Sequence, residues 1–198
     1  MLVMVMCATS VVEATAGTPP SEAPPSDVEV QARDDWFLPF VASVARGGTV
    51  VWTFTGAERS HTATDSSGMA LFDSGIVEPR GPSFSLQFLA AGRYPYTCTL
   101  HPGDMNGSVK VPVGVSRENG RVGVPVRVRW AVGPAPEGQL YDVQIKLPGV
   151  AWTSWMEGVT LSNARFEPDR PGRFRFRARL RGPDAATGWS PRVTLTVT

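Results

Sequence analysis

Cys98, His101 and Met105 fall within one eight-residue run, Cys98-Thr99-Leu100-His101-Pro102-Gly103-Asp104-Met105. Pro102 and Gly103 favour a turn, and Tyr94-Pro95-Tyr96-Thr97-Cys98 reads as the end of a strand, so one short loop carries a thiol, an imidazole and a thioether. Thiolate and thioether are soft ligands and imidazole suits copper; the loop lacks only a second imidazole to match the donors of a one-electron copper centre. The chain has two histidines and two cysteines in all. His61, in Glu58-Arg59-Ser60-His61-Thr62, is thus the only residue that can complete a set of His61, Cys98, His101 and Met105. Taken singly, such a histidine is commonly a solvated side chain and such a cysteine a small buried hydrophobe; their joint order is what points to a metal. Zinc accepts the same atoms, although copper(II) outranks it in intrinsic affinity. Two histidines exclude centres built on three or more imidazoles, among them multicopper clusters and three-histidine zinc enzymes.

The elements that must position these residues are strands. From Val28 onward, short apolar stretches rich in β-branched and aromatic residues are broken every eight to twelve or so residues by Gly, Pro, Asn or Asp, the pattern of an all-β sandwich protein. Val28–Val30, Thr49–Phe54, Ser83–Phe88, Tyr94–Cys98 and Ser108–Val111 alternate as half-buried strands. Such a sandwich can bring His61, just past the Thr49–Phe54 strand, to the same end as the Cys98 loop. The polar run Ser116–Arg121 interrupts the pattern, and with 198 residues there is room for two domains, divided near Gly114. Charge follows the division. Residues 1–120 carry 7 basic and 12 acidic side chains and residues 121–198 carry 12 and 6, so a total of +1 hides two oppositely charged halves. Near-neutral net charge and 42% hydrophobic residues argue against a disordered chain or a bulk polyanion binder.

The order of these blocks resembles the cupredoxin family, in particular plastocyanin-, pseudoazurin- and amicyanin-like blue copper proteins. The resemblance covers residues 28–113 and rests on Phe37-Leu38-Pro39, Gly48-Thr49-Val50-Val51-Trp52, His61-Thr62, Phe72-Asp73-Ser74-Gly75, Gly92-Arg93-Tyr94-Pro95-Tyr96 and Cys98-Thr99-Leu100-His101-Pro102-Gly103, followed by Met105-Asn106-Gly107. It implies a Greek-key β-sandwich with one type 1 copper ion at its end, held by His61, Cys98, His101 and Met105. It further implies electron exchange with a redox partner docking near the His101 edge, framed by Leu100 and Pro102 with Pro39 and Phe40 nearby. Two features depart from the family: three residues separate His101 from Met105, where amicyanin-like loops have two and plastocyanin-like loops four, and Thr62 stands where many relatives have asparagine.

Residues 114–198 resemble a fibronectin type III domain through Val126–Ala131, Tyr141–Ile145, Phe174–Ala178 and Gly188-Trp189-Ser190-Pro191, with Phe174 lacking the hydroxyl of the tyrosine often found there. The implied fold is a second, immunoglobulin-like β-sandwich serving as an interaction module. Arg173, Arg175, Arg177, Arg179 and Arg181 alternate with apolar residues and share one face, readable as a solvated outer face or as a docking stripe for an acidic partner. Trp152, Trp155 and Met156 either cover a sandwich end or form an exposed ligand patch.

Residues 1–16 pair an apolar run with Ala14-Thr15-Ala16, the small-x-small pattern of a signal-peptide cleavage site, and the Pro- and Ser-rich residues 17–27 read as a tether. The expected location is extracellular, cell-surface or periplasmic, and no segment reads as a membrane span. Bulky residues before Cys7 speak against a lipid anchor there, and removal of the signal leaves Cys98 as a single thiol in a compartment where thiols usually pair. A full ligand set leaves no open coordination position, so no catalytic residues are expected; a Ser-His-Asp arrangement of His61 with Asp65 or Asp73 lacks a nucleophile elbow. Electron transfer is the first expectation. The alternatives are a copper-holding or copper-delivery protein and a surface binding protein whose cupredoxin fold is structural. Nucleic acid is not an expected partner.

Overall fold

A computed structural model describes residues 27–198; the signal-peptide reading and all of the tether except Asp27 lie outside the described residues. The described residues are all-β, in two packed β-sandwiches. In the first the strands are β1 (Val28–Ala32), β2 (Phe37–Leu38), β3 (Val41–Ser43), β4 (Gly48–Thr53), β5 (Thr64–Asp65), β6 (Phe84–Phe88), β7 (Gly92–Thr97) and β8 (Asn106–Val111). One sheet has the order β2-β1-β4-β6 and the other β3-β8-β7-β5. Every connection from β2 to β7 crosses between the two sheets of this sandwich. Two-residue periodicity puts Val50 and Trp52 of β4, Tyr94 and Tyr96 of β7 and Val109 and Val111 of β8 into one shared core. Trp52 sits at its centre, its ring 5.5 Å from those of Phe72 and Phe84 and 5.4 Å from that of Tyr96.

Gly107 in β8 is required by this packing. A Cβ there would strike the ring and hydroxyl of Tyr96 directly across the β7/β8 ladder, where the two residues are paired. Burial pushes the Tyr96 phenol up to about 12, so it remains protonated in the core.

The second sandwich contains β9 (Gly114–Val115), β10 (Asn119–Gly120), β11 (Val126–Arg129), β12 (Leu140–Lys146), β13 (Trp152–Val159), β14 (Asn163–Phe166), β15 (Gly172–Arg181) and β16 (Val193–Val197). A three-stranded sheet β14-β11-β9 faces a five-stranded sheet β10-β16-β15-β12-β13. Trp130, Phe174, Phe176 and Leu195 fill the space between, and Trp155 packs against it with its ring 5.3 Å from Phe176 and 6.0 Å from Trp130. Trp155 therefore covers the core. Two readings shift in detail: the polar run 116–121 contains the edge strand β10, and Gly188–Pro191 forms one isolated bridge, from Gly188 to Arg93, rather than a strand.

All five arginines of β15 lie on the face opposite Phe174 and Phe176, but three have partners on the protein itself. Arg177 donates twice to Gln144 Oε1 and lies between the rings of Trp152 and Trp189, 4.4 and 4.8 Å from their centroids. Arg179 and Arg181 reach the Asp142 carboxylate at 3.0 and 3.6 Å. The stripe is thus partly tied into the fold by cation–π and ionic contacts.

The two sandwiches meet along residues 89–93. Ala91 N–H donates to Trp130 O (2.6 Å), Val132 N–H to Leu89 O (2.9 Å), and Arg93 and Gly188 exchange backbone hydrogen bonds of 2.8 Å. Ala90 and Ala91 belong to the second core, so the joint is a packed seam between the sandwiches.

Candidate metal centre

Each prospective ligand is placed by a backbone device. His61 follows β4 and is locked to Val77 by reciprocal hydrogen bonds of 3.0 and 2.8 Å. Cys98 follows β7 directly. Its N–H donates to Met105 O (2.9 Å), while His101 N–H donates to Cys98 O (3.2 Å) and Met105 N–H to His101 O (3.3 Å), which folds the loop back on itself. Gly103, at φ 97°, makes the left-handed turn at the tip that a side chain would resist. Asn106 Nδ2 and Thr97 Oγ1 donate to Gly103 O and Met105 O.

The result is a cluster of His61, Cys98 and His101 whose ligand atoms all lie within 4.8 Å of one another. Cys98 Sγ is 3.7 Å from His61 Nδ1 and 3.5 Å from His101 Nδ1, and the imidazole centroids are 4.9 Å apart. A metal bonded to sulphur at about 2.3 Å and to nitrogen at about 2.0 Å, with an angle near 110–120°, needs a sulphur–nitrogen gap of about 3.5–3.7 Å. The donors fit. Cys98 and His61 are fully buried and His101 is half-buried, so one imidazole edge alone reaches solvent. Burial, reinforced by the neighbouring His101, holds His61 below the usual histidine range, leaving it a neutral imidazole suited to ligation. Met105, the fourth residue the sequence singles out, is fully buried at the foot of the same loop.

Thr62 connects the two loops that carry the cluster. Its N–H donates to Cys98 Sγ (3.3 Å), and its Oγ1, which lies 3.0 Å from Thr64 Oγ1, accepts from Thr99 N–H (2.9 Å). The hydroxyl thus pins the Cys98 loop to the His61 loop. Thr62→Val deletes that acceptor and strands the Thr99 donor, so we expect a loss of about 1–3 kcal/mol in unfolding free energy, read by urea denaturation. Thr62→Ser should restore most of it.

Asp65 and Asp73, weighed as acids for a catalytic arrangement, are occupied in their own loop: Asp65 accepts from Ser67 and Leu71, and Asp73 from Thr64 and Gly75. A cavity of about 310 Å³ lies elsewhere, at the seam between the sandwiches. Its walls include Leu71, Phe72, Leu86, Phe88, Val132 and Leu180, and the Tyr94 and Tyr141 hydroxyls donate to backbone carbonyls. One residue at the metal cluster escaped the sequence reading: Asp34, whose Oδ1 is 3.8 Å from His61 Nε2. It lies 27 positions before His61 in an unremarkable charged run, and no spacing rule joins them.

No protein-family model matches the chain, and no curated protein matches it. Among solved structures, a purple cupredoxin from Nitrosopumilus maritimus is 24% identical over 42% of this chain and 98% of its own, with a TM-score of 0.38. An oxidised amicyanin mutant is 25% identical over 42% of this chain and 80% of its own, with a TM-score of 0.37. A copper-containing nitrite reductase from Thermus scotoductus is 25% identical over 42% of this chain and 22% of its own, also with a TM-score of 0.37.

Proposed function

We propose that this chain is an exported cupredoxin-type protein that carries single electrons through one type 1 copper ion held by His61, Cys98, His101 and Met105. The carrying observation is the Cys98 sulphur set 3.7 and 3.5 Å from two imidazole Nδ1 atoms in a buried, hydrogen-bonded cluster. Copper, alternating between its cuprous and cupric forms, would hold the transferred electron. Cys98 would supply the anionic sulphur, with the Thr62 N–H steadying it. Neutral His61 would bind from the buried side and the half-buried His101 would face a partner. Met105, buried at the loop base, would complete the set as a weakly held thioether donor. Ligands anchored to strand ends and to one another have little freedom to rearrange when charge changes, which favours fast electron exchange. With the cluster packed on all sides but the His101 edge, we assign it carrier rather than catalytic work.

Copper(II) titration of residues 17–198 tests this reading. One equivalent should bind, with intense visible thiolate-to-copper absorption, narrow hyperfine splitting and reversible reduction. Reversible binding without fast redox cycling would favour copper storage or delivery, and preferential retention of zinc would overturn the copper assignment.

Leu100 is exposed beside His101, and Leu38 and Phe40 are exposed apolar residues of the same sandwich. We assign the Leu100 side of this surface to the redox partner. Leu100→Asp should slow electron self-exchange about tenfold, measured by NMR line broadening in mixed oxidation states, while leaving the absorption spectrum unchanged. The three-on-five arrangement of residues 114–197 supports a fibronectin type III-like interaction module. Arg173 and Arg175, with Arg177 less available, are the positions we assign to an acidic partner; binding there should weaken as salt rises.

A further inference from the structure

His61 poses a problem that its bond to a metal would not solve. The ring is fully buried with Nδ1 turned toward Cys98. A neutral imidazole carries its proton on one nitrogen, and if Nδ1 is to donate electrons to a metal that proton must sit on Nε2. Yet Nε2 is buried and has no hydrogen-bond partner. A stranded buried donor is destabilising, so something nearby should accept it.

The acidic group facing Nε2 is the carboxylate of Asp34, with Oδ1 at 3.8 Å. That separation is an electrostatic contact rather than a formed hydrogen bond. Asp34 is held in place: Glu58 N–H and Arg59 N–H donate to its Oδ1 at 2.7 and 3.2 Å, and Arg59 Nη2 donates to its backbone oxygen at 3.2 Å. Arg59 is also paired with Asp35. These bonds staple the connection between β1 and β2 to the segment leading into His61. Both backbone donors take Oδ1, which leaves Oδ2 to receive Nε2–H after a small turn of the carboxylate. Of the other charged groups on this segment, Glu58 is exposed and Arg59 is itself a donor, and His101 lies on the opposite, Nδ1 side of the ring.

We propose that Asp34 is the positioning residue of His61: its carboxylate keeps the imidazole proton on Nε2, frees Nδ1 for the metal site, and sets a negative charge behind that ligand. The metal part of this inference rests on the copper reading above, whereas the tautomer part concerns the metal-free protein. Carboxylate–histidine pairs of this kind orient a ligand and raise its basicity.

The full chain, with Asp34→Asn and Asp34→Ala, separates the roles. In the metal-free proteins, nitrogen-15 NMR of the His61 ring should report the Nε2–H form in the native chain and in Asp34→Asn, whose amide oxygen still accepts, and a mixture of forms in Asp34→Ala. In the copper-loaded proteins, Asp34→Ala should weaken copper(II) binding about 10- to 100-fold. Asp34→Asn should keep the visible spectrum but lower the ratio of copper(II) to copper(I) affinity about tenfold, equal to about 59 mV upward in potential for a one-electron couple. An unchanged Nε2–H form in Asp34→Ala overturns the positioning role. An unchanged potential in Asp34→Asn overturns the charge role and reduces Asp34 to a loop staple. If the native chain refuses copper, the copper reading fails and the metal-free spectra alone decide the role of Asp34.

Discussion

Cys98→Ala should abolish the visible thiolate-to-copper absorption and weaken copper(II) binding by more than about hundredfold, exceeding the 10- to 100-fold losses typical of residues that only orient ligands. The band requires a sulphur bonded to copper, and Cys98 is the only cysteine among the described residues. Two imidazoles and a thioether would remain, a neutral set with no soft anion to bind copper(I) or copper(II) strongly. The metal-free variant should nonetheless stay folded. It loses a small buried side chain and the acceptor of Thr62 N–H, a cost of about 1–3 kcal/mol. A thermal melt beside a copper titration separates the two effects: a large fall in affinity with a small fall in Tm is the expected pair. Retention of the band in Cys98→Ala would remove Cys98 from the site.

Trp52→Ala should have the largest effect on stability, about 3–5 kcal/mol, a large part of the 5–15 kcal/mol typical of a domain. Trp52 has no exposed surface and contacts the rings of Phe72, Phe84, Phe88 and Tyr96 from both sheets, so truncation opens a cavity where the sheets meet. Trp52→Phe should cost only about 1–2 kcal/mol. A smaller ring loses volume, but the Trp52 Nε1–H has no acceptor and its removal deletes an unsatisfied donor. Urea unfolding followed by far-ultraviolet circular dichroism measures both. Equal losses for the two variants would mean that the indole nitrogen is better served than the structure implies. Because β4 leads into the His61 segment and Tyr96 lies two residues before Cys98, Trp52→Ala should also broaden the copper spectrum.

Most of the scaffold was readable because strand periodicity is a local property. Phe174 and Phe176 alternate with arginines, and the buried Val50 and Trp52 with the partly exposed Thr49, Val51 and Thr53, so each side of a strand is fixed by the next residue's being on the other. Among the strands of two or three residues, β2 was legible only through the Phe37-Leu38-Pro39 block of the family resemblance, and β3, β5, β9 and β10 were missed: they hold too few positions to show a period and exist because a neighbouring strand offers free backbone groups. β13 escaped for another reason. It is an edge strand with bulges against β12, and Trp152 and Trp155 interrupt its polar positions because Trp152 covers Arg177 while Trp155 turns inward to the core.

The proposed metal ligands show the same division. Cys98, His101 and Met105 lie in one loop, so their chemistry and proximity could be read along the chain, and His61 could be inferred because no other histidine was left. Residue type and counting alone reached that set. That His61 and His101 both turn Nδ1 to the sulphur, that Thr62 ties their loops, and that Asp34 stands behind His61 are consequences of packing between segments 27 to 37 residues apart. Side-chain direction at such distances depends on how two sheets stack and which backbone groups remain to be satisfied. Those constraints exist only once the chain is folded, which is why the proposed ligands were legible and their supports were not.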